Sequence, residues 1–159
     1  MKQNFGINRT QFAGDDSIII KKFFKGLEGG RALFVPEDSK VSEGGVTTEI
    51  VYPEVLRAGM PIIKTTATVE GVASTPVYAP CGLKVVTSAE GLKTTSLNIE
   101  GAQIVGILQA SILKSKASAA IMTWGIVNPS VEGTYLTAEA QAAIKAALPH
   151  IDFQSDEIA

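Results

Sequence analysis

The chain has 159 residues and a mass of 16.7 kDa, with 14 lysine and arginine residues against 16 aspartate and glutamate residues. This length suits one domain with its own apolar core. The net charge of −2 disfavours a general nucleic-acid binder, which usually carries a basic surplus. A single cysteine excludes an internal disulfide and a paired-cysteine metal site. Neither a membrane span nor the apolar core of a secretory signal is recognisable, so we expect no contact with a membrane.

Residues 1–17 are predicted to form a flexible N-terminal arm. The apolar side chains Phe5, Ile7 and Phe12 follow no helical period, and glycine and asparagine residues interrupt them. Two interpretations are open. The segment is either a frayed terminus, as is common at chain ends, or it becomes ordered only against a partner, with these three side chains as anchors.

Residues 18–45 are predicted to form a small β-hairpin unit. Residues 18–24 and 31–35 are short apolar runs rich in β-branched and aromatic side chains, and a glycine-rich connection separates them. This pattern is typical of a hairpin. The polar residues 36–45 are predicted to be the loop that ends it.

The third segment, residues 46–159, alternates short β-type runs with breaks that contain glycine or proline. Gly106 lies inside a continuous apolar run, which indicates a β-bulge or a close backbone approach. The run at 71–80 contains two prolines and should be either broken or at a sheet edge, while residues 88–101 form a loop or a short hairpin. Strands are predicted at residues 46–52, 61–69, 71–80, 83–87, 103–109 and 118–127.

A helix is predicted near the C-terminus, from a plausible N-cap at Thr137 to the stop at Pro149. Its apolar side chains recur at helical spacing and should form one buried stripe. The predicted fold class is therefore α+β and mostly β: a small mixed sheet or barrel-like domain with a C-terminal alanine-rich helix and an N-terminal arm. The stripe consists of Ala140, Ala143, Ile144, Ala147 and Leu148.

Candidate catalytic groups are few. His150 follows a helix end, where a capping or surface role is typical, and Cys81 lies between proline and glycine rather than at a helix N-terminus that would activate its thiol. Carboxylates that are adjacent in the sequence fall in predicted arms or loops, where we expect them to be solvated surface groups. No phosphate loop, zinc motif or nucleophile elbow is present. We therefore expect a protein that is not an enzyme and needs neither a cofactor nor a metal.

The single tryptophan, Trp124, lies in the apolar run at residues 118–127. Two interpretations are open: a residue of the core, or a contact between copies in an oligomer. The tyrosines are too far from it in the sequence to predict a base-stacking platform, which again argues against a nucleic-acid partner.

Four motifs follow one another between residues 53 and 151. Residues 56–62 read Leu-Arg-Ala-Gly-Met-Pro-Ile, residues 103–108 read Gln-Ile-Val-Gly-Ile-Leu, and residues 119–128 end in Gly-Ile-Val-Asn. The alanine-rich helix at residues 136–148 is the fourth. In this order the motifs resemble those of tailed-phage head decoration proteins, the lambda-type capsid-stabilising family, and of related phage head-fibre proteins.

The resemblance implies a structural protein of the virion. Members of this family form homotrimers on the outer surface of the phage head, after passing through the host cytoplasm during assembly. Their N-terminal arm binds the major capsid protein, so the resemblance implies a capsid-binding role for Phe5, Ile7, Arg9 and Phe12. The expected partners are the major capsid protein and further copies of this chain, without nucleic acid or membrane.

Two other functions remain open on the sequence alone. A head-fibre or adhesin-like module would present residues 18–45 outward and bind a host surface or a glycan. An unrelated small enzyme or ligand-binding α/β domain would instead have a concave pocket lined by perturbed carboxylates.

Overall fold

The computed structural model describes residues 16–155 of the chain. The fold is α+β and mostly β, with 50% of the residues in strands and 12% in helices, and with a helix near the C-terminus. Within the described range the strands form several sheets that do not close into a barrel. The predicted class, α+β and mostly β with a C-terminal helix, is confirmed, and of the two predicted forms the structure has open sheets rather than a barrel.

The largest sheet has six strands. In spatial order, five antiparallel strands follow one another, and a sixth short strand, β14, runs parallel to the second of them. The order is β1 (Ile20–Gly26), β13 (Ile121–Val127), β10 (Gln103–Leu108), β6 (Pro61–Val69) and β7 (Val72–Pro80), with β14 (Ile151–Phe153) beside β13. The run at residues 71–80 thus forms an unbroken edge strand, one of the two possibilities that its prolines left open.

A second sheet is a four-stranded antiparallel meander. Its last two strands form a hairpin, so residues 88–101, considered as a loop or a short hairpin, provide its turn and its second strand only. Two small ladders complete the β structure of the described residues, and Lys114–Lys116 form a 3₁₀ turn. The meander consists of β3 (Ser39–Glu43), β4 (Val46–Val51), β8 (Leu83–Thr87) and β9 (Lys93–Leu97). The ladders pair β5 (Val55–Leu56) with β11 (Ile112–Leu113), and β2 (Arg31–Ala32) with β12 (Ser118–Ala119).

The hairpin predicted from residues 18–24 and 31–35 is wrong. β1 pairs with β13, about a hundred residues further along the chain, and β2 pairs with β12, about ninety residues further along. The polar loop predicted at residues 36–45 is also wrong, because β3 lies within it and pairs with β4. Residue 45, the end of the predicted unit, is therefore in the turn between two strands of one sheet.

The C-terminal helix, α1 (Ala138–Ala147), begins where the sequence predicts. The Thr137 side chain accepts a hydrogen bond of 3.2 Å from the Ala140 N–H and caps the first turn. Ala140 and Ile144 are buried, and Leu148 is buried just after the helix. Two further members of the predicted stripe, Ala143 and Ala147, are exposed, so the buried face is narrower than predicted.

The apolar core lies between the central sheet and α1, which packs against β10 and β14. Gly106 of β10 has the close approach that the sequence predicts, because a Cβ atom there would overlap the side chain of Ile121. The same glycine coincides with a register shift between β10 and β6. The fully buried side chains include Ile62, Ile107, Ile121, Ile144 and Ile151.

Candidate interaction surface

Three aromatic side chains form a row across one end of the central sheet. Phe24 belongs to β1, Trp124 to the neighbouring β13, and His150 to the turn between α1 and β14. The ring centroids of Phe24 and Trp124 are 5.4 Å apart, and those of Trp124 and His150 are 5.6 Å apart. These spacings are typical of interacting aromatic pairs. Phe24, Trp124 and His150 are called the aromatic row below.

The aromatic row faces solvent. Phe24 is 53% exposed and Trp124 is 47% exposed, and Phe23, the preceding residue of β1, is 46% exposed. Trp124 is therefore not part of the core, and the core interpretation of this residue is wrong. α1 packs against β10 and β14, which leaves the end of the sheet at β1 less covered. Clustered exposed aromatic side chains of this kind are typical of interaction sites.

The strand that carries Phe24 lies at the edge of the sheet. Among the described residues, β1 is hydrogen-bonded on one side only, to β13, and the pairing contains three register shifts. Lys22 and Lys25 are exposed on this strand, and no carboxylate between residues 16 and 155 forms an ion pair with either. Glu28 follows in the next turn, where its carbonyl oxygen accepts a hydrogen bond from Arg31. The aromatic row thus lies beside a basic sheet edge.

The predicted arm joins the fold at Asp16, four residues before β1 begins at Ile20. The Asp16 carboxylate accepts one hydrogen bond of 2.9 Å from the Ser111 N–H and another from the Ser111 hydroxyl. The Ser111 Oγ in turn accepts a hydrogen bond of 3.0 Å from the Ala58 N–H. Three residues later, Ile19 is fully buried, and its carbonyl accepts the Asn128 N–H. Residues 16 and 17, the last two of the predicted flexible arm, begin a helical turn that is held against the fold by these contacts.

The four residues to which the resemblance assigns capsid binding, Phe5, Ile7, Arg9 and Phe12, lie outside the described residues. Of the predicted site residues, the structure therefore places only Trp124. It brings Trp124 together with Phe24 and His150, neither of which the sequence analysis connected with it. One signal was available: Phe23 and Phe24 are flanked on both sides by lysines, which is unusual for two side chains destined for a core.

A second surface is concave and acidic. A concavity of about 500 Å³ is lined by three carboxylate side chains, by apolar side chains at one wall and by one lysine. Asp38 accepts a hydrogen bond of 2.9 Å from the Tyr52 N–H, and Lys114 donates one of 3.0 Å to the Tyr52 carbonyl. This acidic concavity consists of Val35, Pro36, Glu37, Asp38, Glu54, Lys114 and Ser115.

The buried polar chemistry is limited. Burial raises the pKa of the Cys81 thiol to about 12, so the thiolate that a nucleophile or metal ligand requires is not formed at neutral pH. Burial also raises the pKa of the Tyr52 hydroxyl, with smaller contributions from Cys81 and Asp38. In the part of the chain that the structure describes, no group of three or more His, Cys, Asp or Glu side chains is arranged to hold a metal ion.

The residues that carry the family resemblance serve the packing of the fold. Leu56 and Ala58 are buried, and Gly59 has a φ of +90°, in the region that favours glycine. A Cβ atom on Gly59 would also lie 2.9 Å from Cγ2 of Ile19. The motif at residues 56–62 is thus explained by a tight turn that packs closely against the buried side chain of Ile19.

Comparisons with protein-family models, with curated proteins and with solved structures found no match to this chain. Between residues 16 and 155, no helix has the length and apolar character needed to cross a membrane.

Proposed function

We propose that this chain is a structural protein of a phage virion, which decorates the outer surface of the head as a homotrimer and stabilises the shell. Its N-terminal arm binds the major capsid protein. The order of the four motifs between residues 53 and 151 supports the proposal, since they resemble those of the lambda-type decoration family.

The observation that carries the proposal is the anchorage of the arm. An arm that binds a shell transmits force to the domain only if the residue where it joins the fold is held firmly. Asp16 is held by two hydrogen bonds from Ser111, and Ile19 is fully buried, so the junction is fixed both by polar contacts and by apolar burial. The same chain then continues directly into β1 of the central sheet.

Backbone pairing of residues 1–15 with a capsid strand would provide affinity, and Phe5, Ile7, Arg9 and Phe12 would provide side-chain contacts. Three arms in one trimer engage the shell together, so each arm needs only weak affinity. The net charge of −2 limits repulsion between the many copies on one head.

Co-sedimentation tests this function with shells assembled from the major capsid protein of the same genome. The full chain should sediment with the shells, while a Phe5→Ala/Phe12→Ala variant should remain in the supernatant. An Asn4→Ala/Gln11→Ala variant is the matched control, because it changes two polar residues of the same segment, and it should bind like the full chain.

Two outcomes contradict the proposal. If the full chain does not bind the shells, capsid decoration is excluded; if the aromatic variant binds as well as the control, the arm is not the attachment. Binding of the full chain to host cells in place of shells would favour the head-fibre or adhesin-like alternative.

A further inference from the structure

We propose that the aromatic row of one copy, together with Lys22 and Lys25, binds the acidic concavity of the next copy in a head-to-tail contact repeated around the trimer. The inference rests on the homotrimer proposed above and names the two surfaces that meet. Its partner is a second copy of this chain.

The aromatic row has the composition of an interface centre. Phe24 and Trp124 are each close to half exposed in the described chain, so further burial of these two rings would remove a large apolar area from water. Aromatic side chains are the most frequent anchors of protein interfaces. The acidic concavity offers a matching receptor, because Val35 and Pro36 provide an apolar wall in a volume of about 500 Å³.

The charges of the two surfaces are complementary. The aromatic row is bordered by the exposed cations Lys22 and Lys25. The acidic concavity contains three carboxylates against one lysine, and Lys114 already donates to the Tyr52 carbonyl. Glu37 and Glu54 are exposed, and neither forms an ion pair with another residue of the described range. Complementary charges of this kind select the partner and fix its orientation.

The same charges disfavour contact between two copies of the aromatic row. A two-fold contact would place the lysines of one β1 against those of the other, and lysines on an edge strand oppose such pairing. Residues 1–15 of a neighbouring copy are also a poor partner for β1, because their charged side chains, the cations Lys2 and Arg9 against the single carboxylate of Asp15, give a net positive charge. A contact between two different surfaces is heterologous, and heterologous contacts can close into rings such as a trimer.

Charge reversal tests the inference with four proteins of full length. The first variant, Lys22→Glu/Lys25→Glu, makes the aromatic row acidic, and the second, Glu37→Lys/Glu54→Lys, makes the concavity basic. By sedimentation velocity, each should associate about 100-fold more weakly than the unmodified chain, because like charges then face each other. The variant with all four changes should recover the trimer.

A mixture of the two double variants gives a sharper result. Unlike charges then meet only between different variants, so a ring must alternate them and contain an even number of copies. The mixture should therefore form complexes of equal composition but no trimer. The matched control is Lys64→Glu/Lys93→Glu, which changes the charge by the same amount on exposed residues of β6 and β9 and should remain trimeric.

The outcomes separate this inference from the proposed function. If the unmodified chain is a trimer and both double variants remain trimeric, with thermal midpoints that show they are folded, this interface is wrong and the trimer stands. The interface is also wrong if Lys22→Glu/Lys25→Glu remains trimeric but loses shell binding, because the aromatic row then contacts the capsid. If the unmodified chain is a monomer at every concentration, the trimer and this interface both fail, whereas shell binding is measured independently.

Discussion

Gly106 of β10 lies directly against Ile121 of β13, so close that a Cβ atom at position 106 would overlap Cγ2 of the isoleucine. The added Cβ atom would also lie only 3.0 Å from the carbonyl oxygen of Met122. Since Ile121 is 1% exposed and belongs to the core, neither neighbour can move without disturbing the packing between the two strands. The absence of a side chain at this position is therefore a requirement of the central sheet.

Gly106→Ala should lower the free energy of unfolding by about 1–3 kcal/mol, the usual cost of overpacking a core. Urea denaturation measures the change. Gly30→Ala is the matched control, because its Cβ atom would find its nearest neighbour, Ser118 Oγ, at an ordinary 3.5 Å. The control should change the stability by less than about 0.5 kcal/mol. Equal stabilities of the two variants would show that the sheet relaxes around position 106.

The hydrogen bonds between Asp16 and Ser111 should be strongly coupled. Asp16→Ala leaves the Ser111 N–H without its acceptor, and Ser111→Ala also removes the acceptor of the Ala58 N–H. Each change should cost about 1–3 kcal/mol of stability, as expected for a polar group deprived of its partner. The double variant should lose less unfolding free energy than the two single variants lose together, and the difference, the coupling energy, should be about 0.5–3 kcal/mol.

Urea denaturation of the wild type, the two single variants and the double variant completes that thermodynamic cycle. Ser130→Ala is a suitable control, since Ser130 is exposed and belongs neither to the anchor nor to the acidic concavity. Strictly additive costs would mean that Asp16 and Ser111 do not act together, and the anchorage of the arm would lose its physical basis.

The Cys81 thiol should make the protein less stable in alkali. Burial raises its pKa from an ordinary value of 9.0 to about 12 in the folded chain, whereas in the unfolded chain the thiol ionises at its ordinary value. The unfolded state therefore loses this proton first. The resulting stabilisation is complete below pH 9 and is lost progressively between pH 9 and about pH 12.

Cys81→Ala removes this thiol and should flatten the decline in stability between pH 9 and 10.5, roughly the window that urea titrations can follow. The comparison concerns slopes, because the smaller side chain also lowers stability at every pH. Tyr52 is present in both proteins, and its raised pKa affects both curves in the same direction. Parallel curves over this pH range would contradict a buried, protonated thiol.

The sequence predicts local features of this fold well. The cap at Thr137, the strands at residues 61–69 and 83–87, and the close approach at Gly106 all follow from side-chain chemistry within a few residues, and all four are present. Pairing over long distances is different. Nothing near residue 20 indicates that β1 pairs with β13 about a hundred residues later rather than with the adjacent run, so the predicted hairpin fails.

The exposure of Trp124 could not be predicted either, because it also depends on contacts between distant parts of the chain. An apolar run predicts burial, but burial also depends on what covers the sheet at that point, and α1 lies over β10 and β14. The grouping of Trp124 with Phe24 and His150 joins residues from three distant parts of the chain. Its components could be noted in the sequence, but their proximity follows only from the pairing of β1 and β14 with opposite sides of β13.

Trp124 should report the assembly of the trimer through its fluorescence. It is the single tryptophan of the chain and is 47% exposed, so an isolated subunit should emit at the long wavelength of a hydrated indole and be quenched readily by acrylamide. If the aromatic row is covered by the next copy, raising the protein concentration should shift the emission to shorter wavelength and reduce the quenching, because water leaves the ring. The Lys22→Glu/Lys25→Glu variant should keep the long-wavelength emission at concentrations where the unmodified chain has shifted. Emission that stays at long wavelength in a chain shown by sedimentation to be trimeric would place the interface elsewhere.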